Sequence, residues 1–175
     1  MNAKRKILEK IVRVDQAGEV GAQQIYEGQK LVFKTLKNKK DYDQISRMAN
    51  EEKEHLDYFN ELAKKESIKP TKLSNLFGVG AFAMGIGTAL LGRKAAYVCT
   101  EAVEEVIEAH YQKQIDELEG IHDDVREKII KFQEDEVDHK NTAINEGSQQ
   151  TLGYSILRKT INETTKLAIF MAERY

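Results

Sequence analysis

Two stretches of this chain repeat one spacing of metal-binding side chains, and no other feature restricts its fold as much. Glu52-Lys-Glu-His55 lies 33 residues after Glu19, and Glu136-Val-Asp-His139 lies 32 residues after Glu104. On a helix, residues three apart share a face, so the glutamate and histidine of each Glu-x-x-His can meet one ion. A helix rising for roughly 16 residues, about 24 Å, and a second one descending return the upstream glutamate and the pair to one height. Two such hairpins make a four-helix bundle with six inward donors.

The donors also balance electrically. Four carboxylates neutralise two divalent ions and the histidines bind as neutral imidazoles, so the set can be buried without the cost of unpaired charge. Oxygen and nitrogen donors suit iron or manganese rather than a thiolate metal. One glutamate from each of two helices, with Glu-x-x-His from the other two, is the ligand set of ferritin-like di-iron carboxylate proteins. Single Glu-x-x-His matches arise by chance in a chain with 20 glutamates. A third, Glu119-Gly-Ile-His122, contains Gly120 and has no acidic residue between Glu66 and Glu101 to supply its upstream glutamate. It is expected in an exposed turn. Spacing leaves some choices open: Glu101, Glu104 and Glu108 share a face beside Glu105, and Asp15 is four residues before Glu19. Tyr26 and Tyr111 each follow an upstream glutamate by seven residues and either border the site or pack in the core. His110 has no partner three residues before it and is a core or pocket histidine. Glu51 and Asp135 each precede a ligand histidine by four, as candidates to steady an imidazole from behind or as surface acids.

Apolar residues recur at intervals of three and four, which predicts helices over about 3–37, 42–66, 73–91, 93–119, 122–146 and 150–174. The 175 residues fit one domain, 1–175. Pro70 separates the second helix from the third, and Gly92, Gly120 and Gly147 mark other breaks. Gly18, Gly21 and Gly28 fall inside the first helix, where they permit close packing or a kink. The third helix stands apart: residues 73–92 hold no charge in 20 positions but include five glycines. Lysines precede this segment and Arg93 and Lys94 follow it. Three arrangements fit: a helix inside a larger core, one lying in a membrane leaflet, or a poor membrane span. The basic flanks suit the leaflet. A net charge of −2 gives no field for nucleic acid. The lysines at 30, 34, 37, 39 and 40 read as a solvated helix end. Cys99 is the single cysteine, so no internal disulfide or Cys-x-x-Cys metal site exists, and it reads as a small buried residue. The N-terminal MNAKRKILEKIVRV lacks the apolar core of a signal peptide, and no serine- and arginine-rich transit segment is seen.

The residues around the donors add a resemblance. Arg13-Val-Asp-Gln-Ala-Gly-Glu-Val-Gly-Ala22, then Ile25-Tyr26-x-Gly28-Gln29, is similar to the first-helix signature of the demethoxyubiquinone hydroxylase family of ubiquinone biosynthesis. The likeness continues through Glu52-Lys-Glu-His55, Phe59-Asn-Glu-Leu62, Gly87-Thr-Ala-Leu-Leu-Gly92, Val103-Glu-Glu-x-Ile107, His110-Tyr111 and Glu136-x-x-His139. It covers nearly the whole chain. Gln16 and Val20 stand where some members carry histidine and tyrosine, which bears on local packing rather than on donors. By position, the resemblance implies Glu19, Glu52, His55, Glu104, Glu136 and His139 as ligands of two irons, and not Glu101 or Glu105.

The resemblance further implies an all-α, ferritin-like bundle with two extra helices, one of them apolar and membrane-interfacial. The implied activity is that of a di-iron monooxygenase, hydroxylating a polyprenylated demethoxy-benzoquinol with dioxygen. Tyr111 and His110 become candidates for positioning the ring or relaying electrons and protons. NADH or the quinol itself would supply electrons. Residues 73–92 would meet the membrane surface and other ubiquinone-biosynthesis proteins would be partners; with no signal or transit peptide seen, the protein is expected peripherally on the cytoplasmic face of the cell membrane. The competing functions are a ferritin-like iron oxidase or store and a metal-free, membrane-associated helical scaffold.

Overall fold

The structure, a computed structural model, describes residues 3–174. Met1, Asn2 and Tyr175, which belong to the expected domain, lie outside the described residues. Six helices account for most of the chain: α1 Ala3–Thr35, α2 Lys39–Lys65, α3 Ser74–Leu90, α4 Arg93–Leu118, α5 Asp123–Asn145 and α6 Tyr154–Ala172. All six were expected, and the boundaries differ most at two places with local causes. The Asn38 side chain accepts the Asp41 backbone N–H at 3.3 Å, and this cap starts α2 three residues early. Before α6, Gly147 (φ +94°) and Gly153 (φ +75°) enclose a 3-10 turn at Ser148–Gln150, which delays that helix to Tyr154.

α1 and α2 form one antiparallel hairpin, and α4 and α5 form the other. Two apolar clusters close the bundle at its ends. One joins Leu8, Ile11 and Val12 of α1 to Phe59 of α2, Ile115 of α4 and Ile129 of α5. The other joins Val32 and Phe33 to Ile45, Met48, Tyr97 and Ala143. On every bundle helix the expected donors fall between these two sets, so the acids sit at mid-height between apolar plugs. Cys99 is fully buried and free. A polar clamp ties the hairpins together at one end: Arg93 donates to both oxygens of Asp41, at 2.9 and 3.0 Å, and Tyr97 donates to the same carboxylate at 3.0 Å.

α3 bridges the hairpins and packs on α1 through glycine. A Cβ on Gly85 would collide with the backbone carbonyl of Ile25, and one on Gly28 would come within 2.5 Å of the Phe82 carbonyl oxygen. Gly18 and Gly21 behave differently from Gly28, because nothing lies within 4 Å of their Cβ positions. They leave space rather than allow contact. α3 is not a core helix: only Gly78, Gly85, Thr88 and Ala89 of it are buried, while Leu76 and Val79 are 64% and 71% exposed. No helix among the described residues is long and apolar enough to cross a membrane. Of the three arrangements weighed for residues 73–92, the interior helix and the span are therefore set aside.

α6 lies on α4. Buried Glu101 accepts from Ser148 Oγ and Tyr154 OH, while Glu105 pairs with Arg158 and accepts from Asn162 Nδ2 at 3.0 Å. Both acids hold α6 in place instead of pointing at the bundle axis.

Candidate metal centre

All six expected donors converge. Glu19 comes from α1, Glu52 and His55 from α2, Glu104 from α4, Glu136 and His139 from α5, and each is at most 3% exposed. They form two overlapping groups, Glu19–Glu52–His55–Glu136 and Glu52–Glu104–Glu136–His139, in each of which the donor atoms lie within 4.8 Å of one another. Glu52 and Glu136 belong to both. Each group thus has one upstream glutamate and one histidine of its own, with two carboxylates shared across the middle. His55 Nδ1 lies 3.5 Å from Glu52 Oε2 and from Glu136 Oε1, and 3.9 Å from Glu19 Oε2. Two donors about 2.1 Å from one ion lie about 3–4 Å apart, so these spacings fit a common cation. Glu52 Oε2, His55 Nδ1 and Glu136 Oε2 are buried without a hydrogen-bond partner, which marks them as ligand atoms in want of a ligand.

The electrostatics point the same way. Burial, and then the charge of Glu52, push the Glu19 carboxyl well above its ordinary range. Burial with Glu136 and Glu52 does the same to Glu104. Burial alone would lower His55 and His139, but Glu136 and Glu52 beside them outweigh it and raise both imidazoles to about 12. Burial would raise Glu52, but the hydrogen bond with His139 and the close approach of the His55 imidazole outweigh it and hold the carboxyl low. Carboxyls and imidazoles alike thus draw positive charge into one dry space. Two divalent ions satisfy that demand with donors these ions accept.

The groups behind the donors are crossed between the hairpins. Tyr26 of α1 donates to Glu104 of α4 at 2.8 Å, and Tyr111 of α4 donates to Glu19 of α1. Burial, and then the neighbouring glutamate, raise both phenols well above their ordinary range, so they stay protonated donors. His55 turns Nε2 to Asp135 Oδ2 at 3.1 Å, and His139 turns Nε2 to Glu51 Oε2 at 2.8 Å. A carboxylate behind a ligand imidazole fixes its tautomer and leaves Nδ1 free to bind. Glu51 and Asp135 were legible as candidates, but each serves the histidine of the opposite helix. Glu119 and His122 lie in the α4–α5 turn, away from the site, as expected.

One cavity reaches the donors and a larger one adjoins it. A small inner pocket of about 30 Å³ is bordered by Asp15, Glu19, Glu104, His110, Tyr111 and Glu136. An apolar cavity of about 240 Å³ runs between α1, α3, α4 and α6, past Gly18, Gly21, Phe77, Met84 and Ala168. Val14, Gly18, Ala22, Val103, Ile107 and Ile169 wall both, so the larger cavity leads to the smaller. The α6 wall went unseen in the sequence. Its signal was the run of small and apolar residues at Thr164, Thr165, Ala168, Ile169 and Ala172.

Comparison with known proteins supplies the lineage. Residues 6–172 match the sequence profile of the family described as "Ubiquinone biosynthesis protein COQ7". The NADPH-dependent 3-demethoxyubiquinone 3-hydroxylase, mitochondrial, of Dictyostelium discoideum is 41% identical over 98% of this chain and 79% of its own length. The Caenorhabditis elegans protein of the same name is 38% identical over 98% of this chain and 92% of its own. The 3-demethoxyubiquinol 3-hydroxylase of Rhodospirillum rubrum is 37% identical over 96% of this chain and 78% of its own. One expectation is overturned. The cytoplasmic face of the cell membrane was inferred from the lack of a leader, whereas relatives across most of the chain are named mitochondrial. The names of these relatives lend no support to a cell-membrane address, and the described residues contain no helix able to cross a membrane. With the profile match and these identities along nearly its full length, the chain belongs to the COQ7 family of ubiquinone biosynthesis proteins.

Proposed function

We propose that this protein is a di-iron monooxygenase that hydroxylates the ring of a polyprenylated demethoxy-benzoquinol in ubiquinone biosynthesis. The observation that carries the proposal is the pair of overlapping carboxylate–histidine groups at the inner end of an apolar cavity. Glu19, Glu52, His55, Glu104, Glu136 and His139 would hold two irons, with Glu52 and Glu136 common to both. Iron, when bound, supplies the reductive activation of dioxygen. The chain's own residues do the rest. The apolar wall of α1, α3 and α6 accepts an isoprenoid tail and excludes water, which suits a hydrocarbon substrate. Tyr111 keeps Glu19 oriented by its hydrogen bond, and His110 meets the incoming ring from the α4 side of the inner pocket. The electron donor is a dihydronicotinamide nucleotide. Relatives are named for NADPH, which makes it the first choice over NADH.

Access to such a substrate calls for contact with a bilayer. Leu76 and Val79 of α3, and Leu167 and Phe170 of α6, are half exposed or more beside the cavity. We assign this face to a membrane surface, with α3 lying in one leaflet, and expect other ubiquinone-biosynthesis proteins to dock near it. A ferritin-like iron store has no use for such a face.

The test is turnover of a demethoxyquinol analogue by iron-loaded protein with NADPH and labelled dioxygen, read by mass spectrometry. The expected product carries one labelled oxygen on the ring. Absence of that product from protein containing two irons per chain would sink the proposal.

A further inference from the structure

We infer that Asp15, His110 and Gln114 form a hydrated polar conduit that carries protons from an outer groove to the inner pocket beside the carboxylates; this rests on the hydroxylase reading above. His110 borders two separate spaces. On one side is the inner pocket, shared with Asp15, Glu19 and Tyr111. On the other is a groove of about 430 Å³ between α4 and α6, reached also by Gln114, Lys10, Lys113 and Lys166. Among the described residues, no other titratable side chain borders both spaces.

The local bonding leaves room for water. Gln114 Nε2 donates to Asp15 Oδ1 at 2.6 Å, and His110 Nε2 stands 3.9 Å from the same oxygen. That gap is too long for a hydrogen bond but can be bridged by one water. Three buried polar atoms here, Asp15 Oδ2, His110 Nε2 and Gln114 Oε1, have no hydrogen-bond partner. Buried polar atoms are rarely left so, and three at one spot mark a hydration site. Among the described residues no lysine or arginine pairs with buried Asp15: the nearby lysine, Lys10, is bonded to Glu117 at 2.8 Å.

The protonation states suit relay. Burial, against the opposing pull of Gln114 and Lys10, lifts the Asp15 carboxyl to about 8. It therefore carries a proton near neutral pH and can lose it. Burial, then the charges of Lys10 and Lys113, press His110 down to about 4 against Glu117. Its imidazole is neutral, with one nitrogen donating and the other accepting, so a proton can enter at one and leave from the other. Tyr58 and Tyr111 face Asp15 as neutral phenols, and Lys166 and Glu173 reach the groove from α6.

The reaction needs such a route. A ring C–H bond and the O–O bond break, a C–O bond forms, and the second oxygen leaves as water. Two electrons and two protons are consumed. A dihydronicotinamide donor supplies both electrons and one proton as hydride, and the second proton comes from solvent. Apolar clusters close the bundle at both ends, and the substrate cavity is apolar, so this seam is a polar way in that does not pass through a ligand histidine.

Two measurements test the conduit. The first is infrared spectroscopy of the whole protein at neutral pH, which needs no substrate. A protonated-carboxyl band that Asp15→Asn removes should shift on mixing with D₂O, and its exchange should slow about tenfold or more in His110→Ala and in the bulkier His110→Gln. The second is turnover of a short-tail demethoxyquinol. Asp15→Asn and His110→Ala should each lower kcat roughly 10- to 100-fold, Asp15→Asn with KM nearly unchanged, and added imidazole should restore kcat in His110→Ala. Unchanged carboxyl exchange in both His110 variants overturns the conduit, as does full kcat in Asp15→Asn. If wild-type protein fails to hydroxylate the quinol while exchange still depends on His110, the hydroxylase reading falls and the conduit stands.

Discussion

The two hairpins carry the same donors in the same order, yet they face different surroundings. Around Glu104, the α1 phenol of Tyr26 packs with Val32, Phe33, Met48 and Ala96 in a closed apolar cluster. Around Glu19, the α4 phenol of Tyr111 borders the inner pocket, with Asp15 and His110 beside it. The repeat is thus symmetric in its ligands and asymmetric in its access. The two helices outside the bundle help to produce that difference. α3 closes on α1 at Gly28, while α6, anchored on α4 through Glu101 and Glu105, stops short of Gly18 and Gly21 and leaves the cavity open. Each donor group draws on both hairpins, but the inner pocket is bordered by Tyr111 and not by Tyr26.

The sharpest way to break the comparison is to remove a donor common to both groups. Glu136→Ala should lose both irons and lower turnover by roughly a thousandfold, several kcal/mol of stabilisation. Glu104→Ala, which leaves Glu19, Glu52, His55 and Glu136 together, should keep about one iron per chain by elemental analysis. Equal iron loss in the two variants would show that the groups fill only as a pair.

The carboxylates behind the histidines test the symmetry itself. Glu51→Ala and Asp135→Ala should each weaken iron binding by about 10- to 100-fold in chelator competition. Similar losses would mark the crossed support as equivalent, and a large difference would mean that one half dominates.

The phenols test the asymmetry. Tyr111→Phe should cut turnover about tenfold. Tyr26→Phe should act mainly on stability, at about 1–3 kcal/mol in chemical denaturation, because it leaves buried Glu104 without its donor. The cavity glycines come next. Gly21→Leu fills open space and should raise KM several-fold for a long-tail quinol but hardly for a short-tail one. Each methylene of the tail kept out of the cavity weakens binding by about 0.8 kcal/mol.

The smallest effect concerns the clamp that joins the hairpins. Burial would raise the Asp41 carboxyl, but hydrogen bonds from Arg93, Asn38 and Tyr97 outweigh it and hold the group below its ordinary range. A carboxylate depressed by folding stabilises the native state above its unfolded value and loses that contribution as pH falls through the acid range. Asp41→Asn should therefore cost about 1 kcal/mol near neutral pH and flatten the fall in stability on acidification, as followed by denaturant titration.

Much of the site was legible because helix periodicity is local. Glu52 and His55 must share a face wherever α2 lies, and the 33- and 32-residue intervals return the partners to one height. The partners behind the donors were less legible. Glu51 and His55 are four residues apart on one helix, yet Glu51 bonds His139 across the bundle. Such a choice depends on the separation and rotation of two helices, which no interval within one helix encodes. Gly18, Gly21 and Gly28 look alike in the sequence and serve two purposes, because only Gly28 lies under α3. Residues 73–92 were equally ambiguous: their lack of charge suits an interior as well as a surface, and only the packing leaves Leu76 and Val79 exposed.

The sequence by itself determined the helices, the duplicated donor set and the family. These follow from spacing within single helices and from residue identity, which are properties of the chain alone. Tertiary structure decided which carboxylates are shared, which phenol borders the pocket and where the cavity opens. Those outcomes depend on how α3 and α6 lean on an otherwise symmetric bundle, and contacts between distant segments are fixed only when the helices pack.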